Sequence, residues 1–212
     1  MEICKPCDAN FKRAVLLKCY EALATAGFCR YRKEDVDWPI EDGFHCWIGL
    51  NTGLYREHVE INPFVGLHVV PIMRLCTSLE GRKYSRSVAT YARHMGELKP
   101  DERVFHFTRR TEMDVQAARL ARLYVDAGLP YARSIASYER LLPLLRERIG
   151  MLGGYPERMA SCLYLMGREE EARAFVEEFL KVNRNYFEGF ALPFLHMLNA
   201  EVTGKIAARL GK

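Results

Sequence analysis

Residues 43–72 read GFHCWIGLNTGLYREHVEINPFVGLHVVPI, and their alternation decides the fold. Successive side chains of a strand leave opposite faces, so every second residue shares a surface. Phe44, Cys46, Ile48 and Leu50 fall on one face, with His45, Trp47 and Gly49 on the other. Tyr55, Glu57, Val59 and Ile61 then oppose Arg56, His58 and Glu60, and Val65, Leu67 and Val69 oppose Gly66, His68 and Val70. Asn/Gly and Asn/Pro pairs separate these runs and favour turns. Three short antiparallel strands are expected, covered on their apolar side and wetter on the other. Pro63 and Pro71 then sit at strand edges, where a missing N–H does least harm.

Upstream, Asp8 caps a helix carrying Phe11, Val15, Cys19, Ala22, Leu23 and Ala26, which Gly27 stops. Residues 28–32 read as a short edge strand, and KEDVDWPIEDG as a loop broken by Pro39 and closed by an Asp42–Gly43 turn. Downstream, Pro71 opens a short helix through Ile72, Leu75 and Leu79, with Gly81 just beyond. The weakly periodic stretch that follows is expected to be partly helical over 88–95, and Val104 to Thr108 to form a further strand.

From Thr111 onward helical periodicity takes over. Thr111 and Asp114 approximate a capping box before Met113, Ala117, Leu120, Tyr124 and Ala127, a stripe ended by Gly128-Leu129-Pro130. Ser137 caps a second helix bearing Tyr138, Leu141, Leu142, Leu145 and Ile149. Residues 156–183 form a helical hairpin whose small residues Ala160 and Ala172 and Gly167 turn resemble one tetratricopeptide unit. A single unit is not an array, because such units bury their faces only by stacking. The expected class is α+β: an N-terminal helix, an antiparallel β-meander of four to five strands, and a C-terminal α-helical half with a tetratricopeptide-like hairpin. The division expected is a sheet domain at 1–110 and a helical extension at 111–212, packed on the sheet as one unit.

The composition bounds the setting. The chain has 212 residues, 49% hydrophobic and 27% charged, with no apolar run near twenty residues, which argues against a membrane span. MEICKPCDANFKR lacks the apolar core of a signal peptide. The seven cysteines are odd in number and scattered, as suits reduced thiols, so a cytoplasmic location is expected. The net charge is +4, and between Arg82 and Arg110 eight bases face three acids, a local +5. Such a field attracts nucleic acid or an acidic surface, but the bases lack regular spacing and stacking aromatics apart from Tyr84 and Tyr91. A solvated basic segment is the simpler reading.

Reactive motifs are sparse. Cys4-Lys-Pro-Cys7 has redox spacing, and a helix follows, but no strand precedes it and no second close cysteine pair completes a zinc set. An incidental N-terminal pair is expected. His58, His68 and His106 share the wetter sheet face in this reading, with Glu60 and Arg56 beside them, and imidazoles there can bind a metal or move protons. Spacing alone does not unite them. Ordinary half-exposed sheet histidines are expected, with no catalytic residue, metal or cofactor assigned. Nucleophile-elbow, phosphate-loop and dinucleotide motifs are absent from the sequence.

The phrases WIGLNTGLYREHVEINPFVGLH, ATYARHMGEL and LYLMGREEEA, in that order, resemble bacterial α+β proteins of the immunity-protein-like type, a class with no assigned activity. Some of that type sit beside polymorphic toxins. A fold signature without a reaction signature points to a cytoplasmic, non-enzymatic interaction module with a protein partner, such as one that neutralises a bacterial toxin, with no membrane attachment and no nucleic-acid binding. The interaction surface expected comprises Trp38, Trp47, Arg56, His58, Glu60, His68, Arg82, Arg86 and Arg93, since aromatic and arginine side chains dominate interface energy. The competing expectations are a small-ligand binder or hydrolase using the sheet histidines, and nucleic-acid binding through 82–110.

Overall fold

The computed structural model describes residues 6–32, 35–151 and 154–210, the side chains of 201–210 excepted. Cys4, half of the expected cysteine pair, lies outside the described residues. The chain divides into two compact units, Met1–His68 with Ser87–Ala136, and Val69–Arg86 with Ser137–Lys212.

The first unit is α+β. Helix α1 (Ala9–Thr25) begins where the Asp8 side chain accepts the Phe11 N–H, and it buries Phe11, Val15, Cys19, Tyr20 and Leu23. Six strands follow: β1 (Cys29–Arg32), β2 (Asp35–Glu41), β3 (Phe44–Leu54), β4 (Val59–Val69), β5 (Tyr91–His94) and β6 (Phe105–Phe107). The order is β1-β2-β3-β4-β5, with β6 beside β5 on the same flank of β4. Helix α3 (Met113–Leu123), a π-helical turn (Tyr124–Gly128) and α4 (Leu129–Ser134) complete the unit.

The meander differs from the expected one in four places. The Asn/Gly turn expected after Leu50 does not form: β3 runs through Asn51 and Gly53 to Leu54, and the chain turns at 55–58, where the Tyr55 N–H donates to the His58 carbonyl. Residues 55–69 are not two strands: β4 runs unbroken from Val59 to Val69, so Pro63 lies inside it and not at an edge. The cost is small for a topological reason. β6 pairs with Val59, Glu60 and Ile61, and β5 with Phe64 to Leu67, so Pro63 falls in the gap between the two pairings. The expected loop at 33–43 holds β2, whose Pro39 is tolerated where the register with β3 shifts between Pro39 and Glu41. The expected helix at 88–95 is instead β5 followed by a 3-10 turn at Met95–Glu97, which the His94 side chain caps.

The Asp42–Gly43 turn forms as expected. Glu41 pairs directly with Phe44, and both turn residues have positive φ, 39° and 80°, as a two-residue hairpin matching strand twist requires. Pro71 stands in the first turn of α2 (Val70–Leu79), the short helix expected there, and not at a strand edge. The Thr111–Asp114 capping box does not form: Thr111 Oγ1 accepts the Thr108 N–H at 2.9 Å, and Glu112 precedes α3 without a side-chain cap. Gly128 does not stop the helical run either, for Pro130 enters the first turn of α4.

One face of the sheet forms the core. Phe44, Cys46, Ile48, Val59, Ile61, Val65, Leu67, Phe105 and Phe107 are buried, as are Ala117, Leu120, Ala121 and Tyr124 from the helices of this unit. The Tyr124 hydroxyl lies 3.1 Å from both the Gly49 and the Phe64 carbonyl oxygens, tying the helical layer to β3 and β4.

The second unit is helical: α2, α5 (Tyr138–Arg148), α6 (Pro156–Leu165) and α7 (Glu169–Leu210). Ser137 caps α5 by accepting the Arg140 N–H. α6 and α7 form the expected hairpin, turned at Gly167 with φ 73°. α7 is broken at Asn183, whose φ and ψ of −123° and 33° are not helical. No described helix is long and apolar enough to cross a membrane.

Candidate functional site

Pairing in register carries the outward side chains of β3 to β6 onto a common face. Glu60 sits opposite His106, Phe64 opposite His94 and Gly66 opposite Ala92. By alternation His58 and His68 lie on the same side, and the His45 ring meets the His68 ring with centroids 6.4 Å apart. Five of the six histidines of the chain thus share one face; the sixth is His196. They separate into two groups and an isolated residue.

The first group stands at the β3–β4 hairpin end. His106 Nε2 is 3.3 Å from Glu60 Oε2, and the His58 and His106 rings meet edge to face at 4.7 Å. One ligand atom from each of His58, Glu60 and His106 lies within 4.8 Å of the others. Asn62 Nδ2 donates to the other Glu60 oxygen at 2.7 Å. Tyr55 stacks on His58 at 4.7 Å with planes 18° apart, and its N–H donates to the His58 carbonyl at 2.9 Å. The Asn62 amide, chiefly, with His106 and His58, holds Glu60 below the usual carboxylate range.

The second group is interior. Asp37 and His68 are buried, His45 Nδ1 is 3.3 Å from Asp37 Oδ2, and His68 Nδ1 donates to the Val88 carbonyl at 2.7 Å. Trp47 Nε1 donates to the Ser87 carbonyl at 3.0 Å and Ser87 Oγ to Asp35 at 2.7 Å. This network fastens residues 87–90 across the strands, a structural task for polar groups that must find partners once out of water. The isolated His94 caps its 3-10 turn by accepting the Gly96 N–H at 2.9 Å, and burial, chiefly, with Arg103 nearby, lowers its pKa.

The nine expected surface residues therefore scatter. Arg56, His58 and Glu60 gather at the hairpin end. His68 is 1% exposed and belongs to the interior network. Trp38 is half-buried and edge-on to Phe28 at 5.3 Å, while Trp47 is half-buried and tied to Ser87. Arg93 leaves the histidine face altogether: it pairs with buried Val65, binds Glu97 at 2.9 Å and lies over the Tyr131 ring. Arg82 and Arg86 belong to the second unit, Arg82 exposed and paired with Glu80. Sequence reasoning missed Tyr55 and Asn62 as partners of the group. The signal for Asn62 was its place two residues after Glu60 on the same strand face.

Thiol chemistry divides by burial. Burial pushes Cys19, Cys46, Cys76 and Cys162 up to about 12, whereas Cys29 is exposed on the edge strand β1. A thiol reagent at neutral pH is expected to modify Cys29 rapidly in the native protein, and those four only on unfolding, because the thiolate is the nucleophile. Peptide mapping after timed labelling reads the order directly; early modification of Cys46 contradicts its position.

No protein-family model, curated protein or solved structure matches the chain.

Proposed function

We propose that the chain is a non-enzymatic protein-binding module that meets its partner at the β3–β4 hairpin end. One observation carries this reading: Leu54 and Tyr55 are 43% and 50% exposed, yet Tyr55 is held by stacking on His58 and by its own backbone hydrogen bond. An exposed aromatic already fixed in place loses little entropy on binding, which favours it as an anchor. Arg56 adds an exposed guanidinium, and its carbonyl accepts the Cys7 N–H at 2.8 Å. The backbone beneath the patch is thereby tied to the start of α1.

Protein is favoured over nucleic acid as partner. The basic stretch 82–110 spends Arg82, Arg93 and Arg109 on ion pairs with Glu80, Glu97 and Asp8, and it is divided between the two units. A phosphate-tracking strip keeps its cations turned outward. The finer form of the proposal, a cytoplasmic immunity protein that neutralises a bacterial toxin, takes its support from the sequence resemblance. In that form the α6–α7 hairpin is one tetratricopeptide-like scaffold unit, with Ala160 and Ala172 buried.

The test uses the full chain as bait beside a Tyr55→Ala/Arg56→Glu double variant. A protein captured by the wild type is then purified and titrated against both baits. The double variant is expected to bind about tenfold or more weakly, the loss of one to two interface anchors. A partner held equally by both baits removes the hairpin end as the contact surface.

A further inference from the structure

We propose that His58, Glu60 and His106 constitute a binding site for a divalent transition-metal ion of the zinc, nickel or cobalt class. The inference does not rest on the partner-binding reading, since it concerns what three side chains do in the isolated protein.

The chemistry of the donors comes first. Two imidazoles and one carboxylate make a nitrogen-rich set that suits borderline cations and not calcium or magnesium, which prefer oxygen shells. Geometry agrees. Donors about 2.0–2.2 Å from a tetrahedral ion lie about 3.3–3.6 Å from one another, and His106 Nε2 stands 3.3 Å from Glu60 Oε2. The third donor, on His58, completes a group whose ligand atoms are all within 4.8 Å.

The site is also built by backbone. Glu60 and His106 are direct cross-strand partners of β4 and β6, so their spacing is set by the ladder and not by loop conformation. His58 stands in the turn one residue before β4, where its ring meets that of His106 edge to face at 4.7 Å. Around these donors stands an outer layer of the kind that orients metal ligands. Asn62 holds Glu60 Oε1 at 2.7 Å and leaves Oε2 toward His106, and Tyr55 stacks against His58. His106 is exposed, with its flanking residues Phe105 and Phe107 buried, so an ion reaches the site from solvent. Three protein donors leave at least one coordination position for water or an incoming ligand.

The competing account is a metal-free His106–Glu60 ion pair with packed imidazole rings, and it predicts differently. The experiment uses the full chain without a polyhistidine tag, stripped with chelator and titrated calorimetrically with zinc(II), and separately with cobalt(II) while the visible spectrum is recorded. One equivalent of saturable binding is expected, weakened about tenfold or more by His106→Ala and by His58→Ala. Glu60→Gln retains the shape and the Asn62 contact but removes the charge, and is expected to weaken binding as well. His196→Ala leaves binding unchanged. At one zinc concentration the thermal midpoint rises more in the wild type and in His196→Ala than in the three site variants; midpoints taken without metal show whether each variant has folded. Absence of saturable uptake overturns the proposal. So does uptake that survives undiminished in all three site variants, which places the ion elsewhere, for instance on Cys4 and Cys7.

Discussion

Gly66→Ala is expected to cost about 3 kcal/mol of stability or more, the upper range for forcing an added methyl into a packed position. A Cβ at this residue stands 1.8 Å from the Tyr91 carbonyl oxygen and 2.7 Å from the Ala92 Cα. Both obstacles are backbone, so no rotamer change relieves the clash. Gly66 pairs with Ala92 in the β4–β5 ladder, and the methyl can be accommodated only by driving β5 away from β4. The consequence travels along the segment. The Thr90 N–H donates to the Leu67 carbonyl at 2.6 Å, and the Val88 carbonyl holds His68, so displacing β5 exposes a buried histidine. Gly81→Ala is the control: its Cβ meets nothing within 4 Å, though its φ of 63° carries a left-handed penalty of about 1 kcal/mol. Denaturant midpoints of the two variants against wild type decide the matter. A Gly66→Ala protein within 1 kcal/mol of wild type means that β5 does not lie against β4 as described.

The pairing that makes Gly66 critical was invisible in the sequence, whereas the face it occupies was not. Parity along a strand survives errors in strand ends. Dividing 55–69 at Asn62–Pro63 was incorrect, yet Val59, Ile61, Val65 and Leu67 stayed on one side and His58, Glu60 and His68 on the other, because the division preserved the two-residue period. Helix caps at Asp8 and Ser137 were legible for a comparable reason, since capping is settled within four residues. Local signals also misled at Thr111, whose hydroxyl accepts the Thr108 N–H and does not cap α3, and at Gly128, which the helical run passes; the missed strands were those stabilised at long range. β2 carries Asp35, Asp37, Pro39 and Glu41, a composition that reads as a loop, and its buried Asp37 meets His45 on β3. β5 is four residues long and carries no period of its own.

The candidate site follows the same division. His58 and Glu60 share a face by local rule, and the sequence placed them together. Adding His106 required the register of β4 with β6, fixed by contacts 46 residues apart along the chain. Removing His68 required knowing that residues 87–90 cross over it. A histidine-bearing strand face therefore announces the chemistry available, and only the pairing partners decide which of its members act together.

Tyr124→Ala is expected to cost about 4 kcal/mol, the range for removing a buried aromatic from a core, and Tyr124→Phe about 1–3 kcal/mol for leaving carbonyls without a donor. The residue is fully buried, edge-on to Phe28 at 6.4 Å, with its single hydroxyl proton shared between the Gly49 and Phe64 carbonyl oxygens at 3.1 Å each. Those carbonyls belong to neighbouring strands β3 and β4, so the phenylalanine variant strands polar atoms in the interior while keeping the ring. The two variants together separate packing from hydrogen bonding. Alkaline pH supplies a second readout. Burial, chiefly, raises the Tyr124 phenol well above its ordinary value of 10.0, so the unfolded chain gives up this proton before the folded one does. A folded pKa above the unfolded one gives stability that is complete below pH 10 and is lost as pH rises beyond it. Wild type is therefore expected to lose stability above pH 10 more steeply than Tyr124→Phe, with Tyr131 and Tyr138, also raised by burial, contributing equally to both. Parallel alkaline slopes for the two proteins would mean that the Tyr124 hydroxyl is not held between the strands.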